Sequence, residues 1–260
     1  SNSLTIPEGV TSIRNNAFSD CNTLVKISFP SSLRVVGEFA FNNCTALEEV
    51  HVASLADWLS IDFQGFRSNP LSNGARLFVS GREAREITIP KGFACLPQRA
   101  FEGCSTLESV AFPLDLLCIG KLAFCSCTAL KEVRFSAENC EGEKGGGITA
   151  LRSAAMPQNE AALREIEYGA FRNCSSLTTF PFPKNLKRIC SWAFTRCSAL
   201  SALMLPDGLE QIERDAFYGC SAASVVRLPA TLNMLPDDVF YGCSALETVH
   251  IPAGVDVFGS

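Results

Sequence analysis

The chain has 260 residues, a net charge of -5 and 47% hydrophobic residues, ample material for a core. An acidity this mild, with no long basic run, excludes an electrostatic nucleic-acid surface. No apolar run approaches the roughly 18 residues of a membrane span, so direct membrane insertion of this segment is not expected.

The chain opens on Leu4-Thr5-Ile6-Pro7, which reads as the end of a repeat already under way. It is therefore expected to be a piece of a longer chain, and the absence of an initiator Met or leader says nothing about targeting. The first complete unit sets the pattern. Leu24 to Pro30 runs Leu-x-x-hydrophobic-x-hydrophobic-Pro, an alternation that predicts a short strand stopped by the proline. A turn and a second short apolar pair follow, and the unit closes on Ala40-Phe41-Asn42-Asn43-Cys44. The strand text returns at Leu107 to Pro113, Leu200 to Pro206 and Leu246 to Pro252. The apolar pair returns in Leu186-Lys187-Arg188-Ile189 and Leu209-Glu210-Gln211-Ile212. The closing phenylalanines are Phe18, Phe41, Phe101, Phe124, Phe171, Phe194, Phe217 and Phe240, each followed three residues later by a cysteine. Adjacent copies are 23 residues apart.

A fixed period of this size is the mark of a solenoid. One coil carries two apolar lines that it cannot bury alone, and stacking on a neighbour buries them as continuous columns. The fold class is thus an α/β-repeat solenoid, mostly β, with 23-residue repeats and strands pairing in parallel at about 4.8 Å per coil. Alanine before the phenylalanine suits a tight corner. Cysteine is a small apolar residue whose thiol can sit buried and bond a carbonyl.

Two segments break the register without suggesting a domain boundary, so residues 1–260 read as one solenoid with modified repeats at about 53–90 and 136–166. Phe41 and Phe101 are 60 residues apart, two repeats plus 14. A short helix starting near Ser54 and packing Leu55, Trp58 and Leu59 fits this text, and the strand-like Arg76-Leu77-Phe78-Val79 and Glu86-Ile87-Thr88-Ile89 resume the solenoid. Phe124 and Phe171 are 47 residues apart, two repeats plus one. There the glycine-rich Glu138 to Gly147 predicts a loop, and Ile148 to Arg152 with Ala161 to Ile166 reads as a degenerate extra coil.

Repeats such as Ile6-Pro7-Glu8-Gly9-Val10 through Ala17-Phe18, and Leu205-Pro206-Asp207-Gly208-Leu209 through Ala216-Phe217-Tyr218-Gly219-Cys220, closely resemble the BspA-type (treponemal-type) leucine-rich repeats. The likeness covers nearly the whole chain. It implies a leucine-rich repeat right-handed superhelix with a parallel sheet on one face. It also implies a surface or secreted protein of a host-associated bacterium or a protist, in a family where several relatives bind host matrix proteins or other cells. One departure from the wider leucine-rich pattern is the lack of an asparagine ladder, since Ser32, Asp115, Asn185, Gly208, Thr231 and Gly254 hold that position.

Catalysis needs a positioned nucleophile or acid–base pair, and none is legible. The only histidines, His51 and His250, occupy equivalent strand positions in distant repeats. Cys125-Ser126-Cys127 resembles half a zinc site, but no second pair follows and Cys127 belongs to the repeat column. No enzyme activity, cofactor or metal is expected. Thirteen cysteines cannot all pair within one chain. Cys95 and Cys118 each lie six residues before their phenylalanine, which stacks them with Cα atoms about 5 Å apart, inside the disulfide range. They are either a disulfide in an oxidising setting or two free thiols, at a solvent-facing position held by Val35, Glu165, Arg188 and Gln211 in other repeats. Asn43-Cys44-Thr45 and Asn173-Cys174-Ser175 fit a glycosylation pattern, but each spans a core cysteine and reads as a by-product of the repeat.

The outward positions of the strands remain as a recognition surface. They carry Lys26, Glu49, His51, Glu132, Arg134, Thr179, Met204, Arg227, Thr248 and His250, a row of mixed charge that changes from coil to coil. A broad protein-binding strip fits such a row, and an ordinary solvated sheet face is the alternative. Pro181 cannot donate to a ladder, so a flaw in pairing is expected there. The reading is a non-catalytic protein-binding or adhesion module, its partner a host matrix or cell-surface protein and its cell-surface or secreted setting taken from the family resemblance. The alternative is a structural spacer within a larger surface protein.

Overall fold

A computed structural model describes residues 2–136 and 161–253, and the backbone of 257–258. The chain winds as a solenoid in which each coil has two strand lines and a corner. The first line comes from the alternating text. Its strands Ser3–Thr5, Lys26–Ser28, Glu49–Val52 and Arg76–Val79 pair in parallel, and Arg82–Glu83 closes this sheet as an antiparallel hairpin. A second sheet joins Glu86–Thr88, Ser109–Pro113 and Glu132–Ser136, and a third joins Ala202–Met204, Val225–Arg227 and Thr248–His250. The apolar pairs form a line of their own, two-residue strands such as Val35–Val36 and Arg188–Ile189, also paired in parallel. Each line is thus divided into three sheets among the described residues, where the periodicity predicts one long ladder. One break falls at Pro181, where the missing N–H predicts a flaw in pairing. Residues 178–182 carry no strand, and the second and third sheets end on either side of them.

The core is the pair of columns set by the repeat. Successive corner rings stack at 5.4 Å (Phe18 on Phe41), 5.2 Å (Phe101 on Phe124), 5.3 Å (Phe171 on Phe194) and 5.4 Å (Phe194 on Phe217), nearly parallel. Such contacts contribute about 0.5–1.5 kcal/mol per pair beyond burial. The backbone N–H of Phe41 donates to Arg67 and that of Phe217 to Val239, while those of Phe18, Phe101, Phe124, Phe171 and Phe194 donate to the alanine carbonyl of the next coil, as from Phe194 to Ala216 at 2.8 Å. That coil's thiol donates back to the phenylalanine carbonyl: Cys44 to Phe18 at 3.0 Å, Cys127 to Phe101 at 3.1 Å, Cys197 to Phe171 at 3.1 Å and Cys220 to Phe194 at 3.3 Å. Burial holds the thiols of Cys127, Cys174, Cys197 and Cys220 well above the usual range, so they stay protonated donors. The asparagine-ladder position is not idle either. Ser32, Asn185 and Thr231 each donate a side-chain bond to the coil before.

The modified coil after Phe41 keeps this scheme with other residues. The helix Leu55–Leu59 forms where expected, capped by the Ser54 hydroxyl accepting from the Asp57 N–H, with Trp58 and Leu59 buried. A 3-10 helix, Pro70–Asn73, stands in place of the regular corner. Asn73 does the cysteine's work, its Nδ2 donating to the Phe41 carbonyl at 2.7 Å. Trp58 Nε1 and Asn69 Nδ2 both donate to the Ala100 carbonyl, at 2.8 and 3.2 Å, in place of a corner amide. The 3-10 helix lies so near the next corner that a Cβ on Gly103 would sit 2.6 Å from the Leu71 carbonyl oxygen.

The second irregular stretch corrects the count made from spacing. Phe124 stacks directly on Phe171 at 5.2 Å, Cys174 donates to the Phe124 carbonyl at 3.1 Å, and Cys118 pairs with Glu165. The 47 residues therefore span one coil step, and among the described residues no extra coil intervenes. Ala161 to Ile166 belongs to the coil that begins at Glu132–Ser136, with Ala162 N–H donating to Leu114 at 2.7 Å. Glu138 to Gly147 and Ile148 to Arg152 lie outside the described residues.

Cys95 and Cys118 are joined as a disulfide with Cα atoms 4.6 Å apart. Of the pair, Cys95 is exposed but Cys118 is buried, so the position faces solvent only in part. The bridge ties the first two strands of the second line after the modified coil, where Cys95–Leu96 has a strand neighbour on one side only.

Two outcomes follow for stability. Cys197→Ala leaves the buried Phe171 carbonyl without its donor, and urea denaturation should show a loss of about 1–3 kcal/mol, with Cys197→Ser losing less. Closing a loop of 23 residues in sequence should stabilise by roughly 2–4 kcal/mol. Reducing agent should therefore lower the wild-type unfolding midpoint and leave the Cys95→Ser, Cys118→Ser double variant unmoved.

Candidate protein-binding face

Strand alternation points Ile27, Val50 and Leu77 into the core and leaves their neighbours outward. On the first sheet this places Lys26, Glu49 and Arg76 in one row and Ser28, His51 and Phe78 in the next. The two rows converge on Glu49. Its Oε2 accepts from His51 Nε2 at 2.8 Å and lies 3.4 Å from Lys26 Nζ, while Arg76 Nη2 approaches Oε1 at 3.5 Å. The His51 ring lies flat on Phe78, with centroids 4.6 Å apart and planes at 5°, and the Arg76 guanidinium stands 5.5 Å from the Phe78 centroid. The result is a partly exposed aromatic step edged by cations around one carboxylate.

The other outward residues stand apart from this cluster. Glu132 and Arg134 lie on the second sheet, and Thr179 is exposed in the break beside Pro181. Met204, Arg227 and His250 form one outward row of the third sheet and Thr248 lies in the neighbouring row, all exposed. Arg227 reaches Asp207 at 3.2 Å. The structure therefore brings Lys26, Glu49 and His51 together and spreads the rest along the face. His51 and His250 are on separate sheets. Cys125 and Cys127 have different partners, Ser126 for the first and the Phe101 carbonyl for the second.

Arg76 and Phe78 are the residues that spacing does not single out. Their alternating text marks a strand, but the modified coil shifts them off the 23-residue register, so they fall in no outward column of the repeat. Their partners Glu49 and His51 are 27 residues back, the step at which Ser80 also bonds Ala53.

The His51 bond is the strongest influence on the Glu49 carboxyl and holds it below the usual carboxylate range; burial opposes it and Lys26 reinforces it. A carboxyl lowered in the folded state stabilises above its unfolded pKa, and the effect is lost as pH falls through the folded value. Wild type should therefore exceed Glu49→Gln in stability at pH 7, and the gap should close on acidification from about pH 5 to pH 3. Denaturation of both proteins across that range checks this.

A model of the BspA type leucine rich repeat region matches the chain in six copies over residues 1–73, 74–142 and 149–260. Among solved structures, a leucine-rich repeat protein of T. pallidum is 30% identical with a TM-score of 0.54, the match covering 68% of this chain and 73% of that one. A leucine-rich repeat protein from Bacteroides ovatus is 24% identical with a TM-score of 0.58 over 99% of this chain. This chain spans 62% of the B. ovatus protein, and a likeness at that identity speaks to the fold. No curated protein matches the chain. Among the described residues no helix is long and apolar enough to cross a membrane.

Proposed function

The chain belongs to the BspA-type leucine-rich repeat family, and on that premise we propose that it is a non-catalytic protein-binding module that holds its partner on the strand-lined face. Family membership supports a protein-binding role in general. The observation that carries the finer reading is the cluster at the N-terminal end of that face. Stacked His51 and Phe78 beside Arg76 and Lys26 are the residue types that dominate interface energy, aromatic and cationic, set on rigid strands. Glu49 holds their geometry before a partner arrives, which lowers the ordering cost of binding. Glu132, Arg134, Thr179, Met204, Arg227, Thr248 and His250 extend the contact along the face with smaller shares. The role is adhesion, and the partner is a host matrix or cell-surface protein. The setting is extracellular, secreted or surface-held, and the Cys95–Cys118 bridge supports it because disulfides persist in oxidising compartments.

Surface plasmon resonance against purified matrix and serum proteins tests this reading. A saturable partner is expected, with Arg76→Ala and Phe78→Ala each weakening it tenfold or more, about 1.4 kcal/mol. Glu132→Ala and Arg134→Ala should weaken it by less. Correctly folded variants that bind as wild type does would remove the strand face from the account, and the absence of any saturable partner would leave a spacer role.

A further inference from the structure

We propose that the corner of the modified coil forms a second site, a subsite for a sugar that bears a carboxylate. A cavity of about 350 Å³ opens there, lined by Asn42, Asn43, Thr45, Arg67, Ser72 and Asn73. Its size falls within the range of small-molecule sites. It lies at the corner, away from the outward rows of the first-line strands, and does not depend on the reading given for that face.

The cavity exists because a ladder stops. Asn43 Nδ2 bonds back to Asp20 at 2.8 Å and Thr45 Oγ1 to Asn22 at 3.0 Å, each 23 residues earlier. Farther along the solenoid the same column continues, with Asn173 Nδ2 reaching Ser126. Toward the modified coil the regular corner is replaced by Pro70–Asn73, and the space beside Asn43 and Thr45 stays open.

The lining is chemically one-sided. It holds three carboxamides, two hydroxyls and one guanidinium, and no acid. The Asn73 amide nitrogen is committed to Phe41 and the Asn43 amide nitrogen to Asp20, which leaves their carbonyl oxygens as acceptors. Among the described residues the Asn42 side chain has no protein partner. Arg67 gives one N–H to the Ser72 carbonyl at 2.9 Å, and its guanidinium stands 5.2 Å from the Phe66 centroid. That fixes the plane and leaves the other N–H groups for a ligand. A fixed guanidinium matches a carboxylate in a two-bond fork. Amides and hydroxyls around it match the donors and acceptors of a polyol. One ligand class carries both, an acidic sugar, either free or as a residue of a glycan.

The test uses the chain as it is, with NMR of the asparagine side-chain amides as readout. Glucuronate should shift the Asn42, Asn43 and Asn73 signals saturably, and glucose should need at least tenfold more. Arg67→Lys keeps the charge and loses the fork, so glucuronate should weaken about tenfold. Because Arg67 also bonds Ser72, Asn42→Ala serves as a second variant and should weaken it about threefold with the unfolding midpoint unchanged. A glucuronate-terminated oligosaccharide that binds more tightly than free glucuronate marks a glycan as the source, and equal affinities mark the free sugar. Equal binding of glucose and glucuronate, no shift at the three amides, or full affinity in both variants would overturn the site.

Discussion

The corner phenylalanine carbonyls from Phe18 to Phe217 each take a side-chain donor from the next coil. A cysteine thiol supplies it at every one of them except Phe41, where Asn73 does. The demand is local, but meeting it repeatedly sets the spacing of the whole molecule, because an orphaned buried carbonyl costs about 1–3 kcal/mol and any slip in register would orphan several at once. The stacked rings share the same constraint. Coils held by these bonds bring Phe101, Phe124, Phe171, Phe194 and Phe217 into one column, and the strands follow at the spacing the corners dictate.

The irregular coil shows how strict the demand is and how loose the means. No cysteine is present at the corner above Phe41, yet Asn73 reaches the same carbonyl. Trp58 and Asn69 meet the Ala100 carbonyl together. Where these substitutes stand back from the regular position, a polar cavity opens. Where they carry the chain to a new strand step, Arg76 and Phe78 come to lie beside Glu49 and His51. Both candidate sites of the molecule thus sit at its departure from the repeat, as expected when local consistency is relaxed only where something is gained.

What could be read from the text depended on periodicity. The phenylalanine column, the thiol column and the adjacency of Cys95 and Cys118 all follow from counting in steps of 23, and the helix at Leu55–Leu59 follows from its serine cap. Pro181 announced a gap in the ladder through its missing donor. Asn73 was not legible as a thiol's replacement, because a carboxamide off the register carries no sign of its partner. Arg76 and Phe78 were hidden for the same reason. The distance from Phe124 to Phe171 misled, since counting cannot tell an added coil from added residues within one coil step. Only the pairing of Cys118 with Glu165 separates the two.

That last distinction bears on what the scaffold will accept. Glu132–Ser136 and Ala161 to Ile166 lie in one coil although they are far apart in sequence, and the corners on either side close on each other as if nothing had been added. Closing a longer flexible connection between two fixed ends costs little more than closing a shorter one, about 0.6 kcal/mol per doubling of length. The solenoid therefore has a port, a place where foreign sequence can be grafted or exchanged while the rod beneath keeps its pitch.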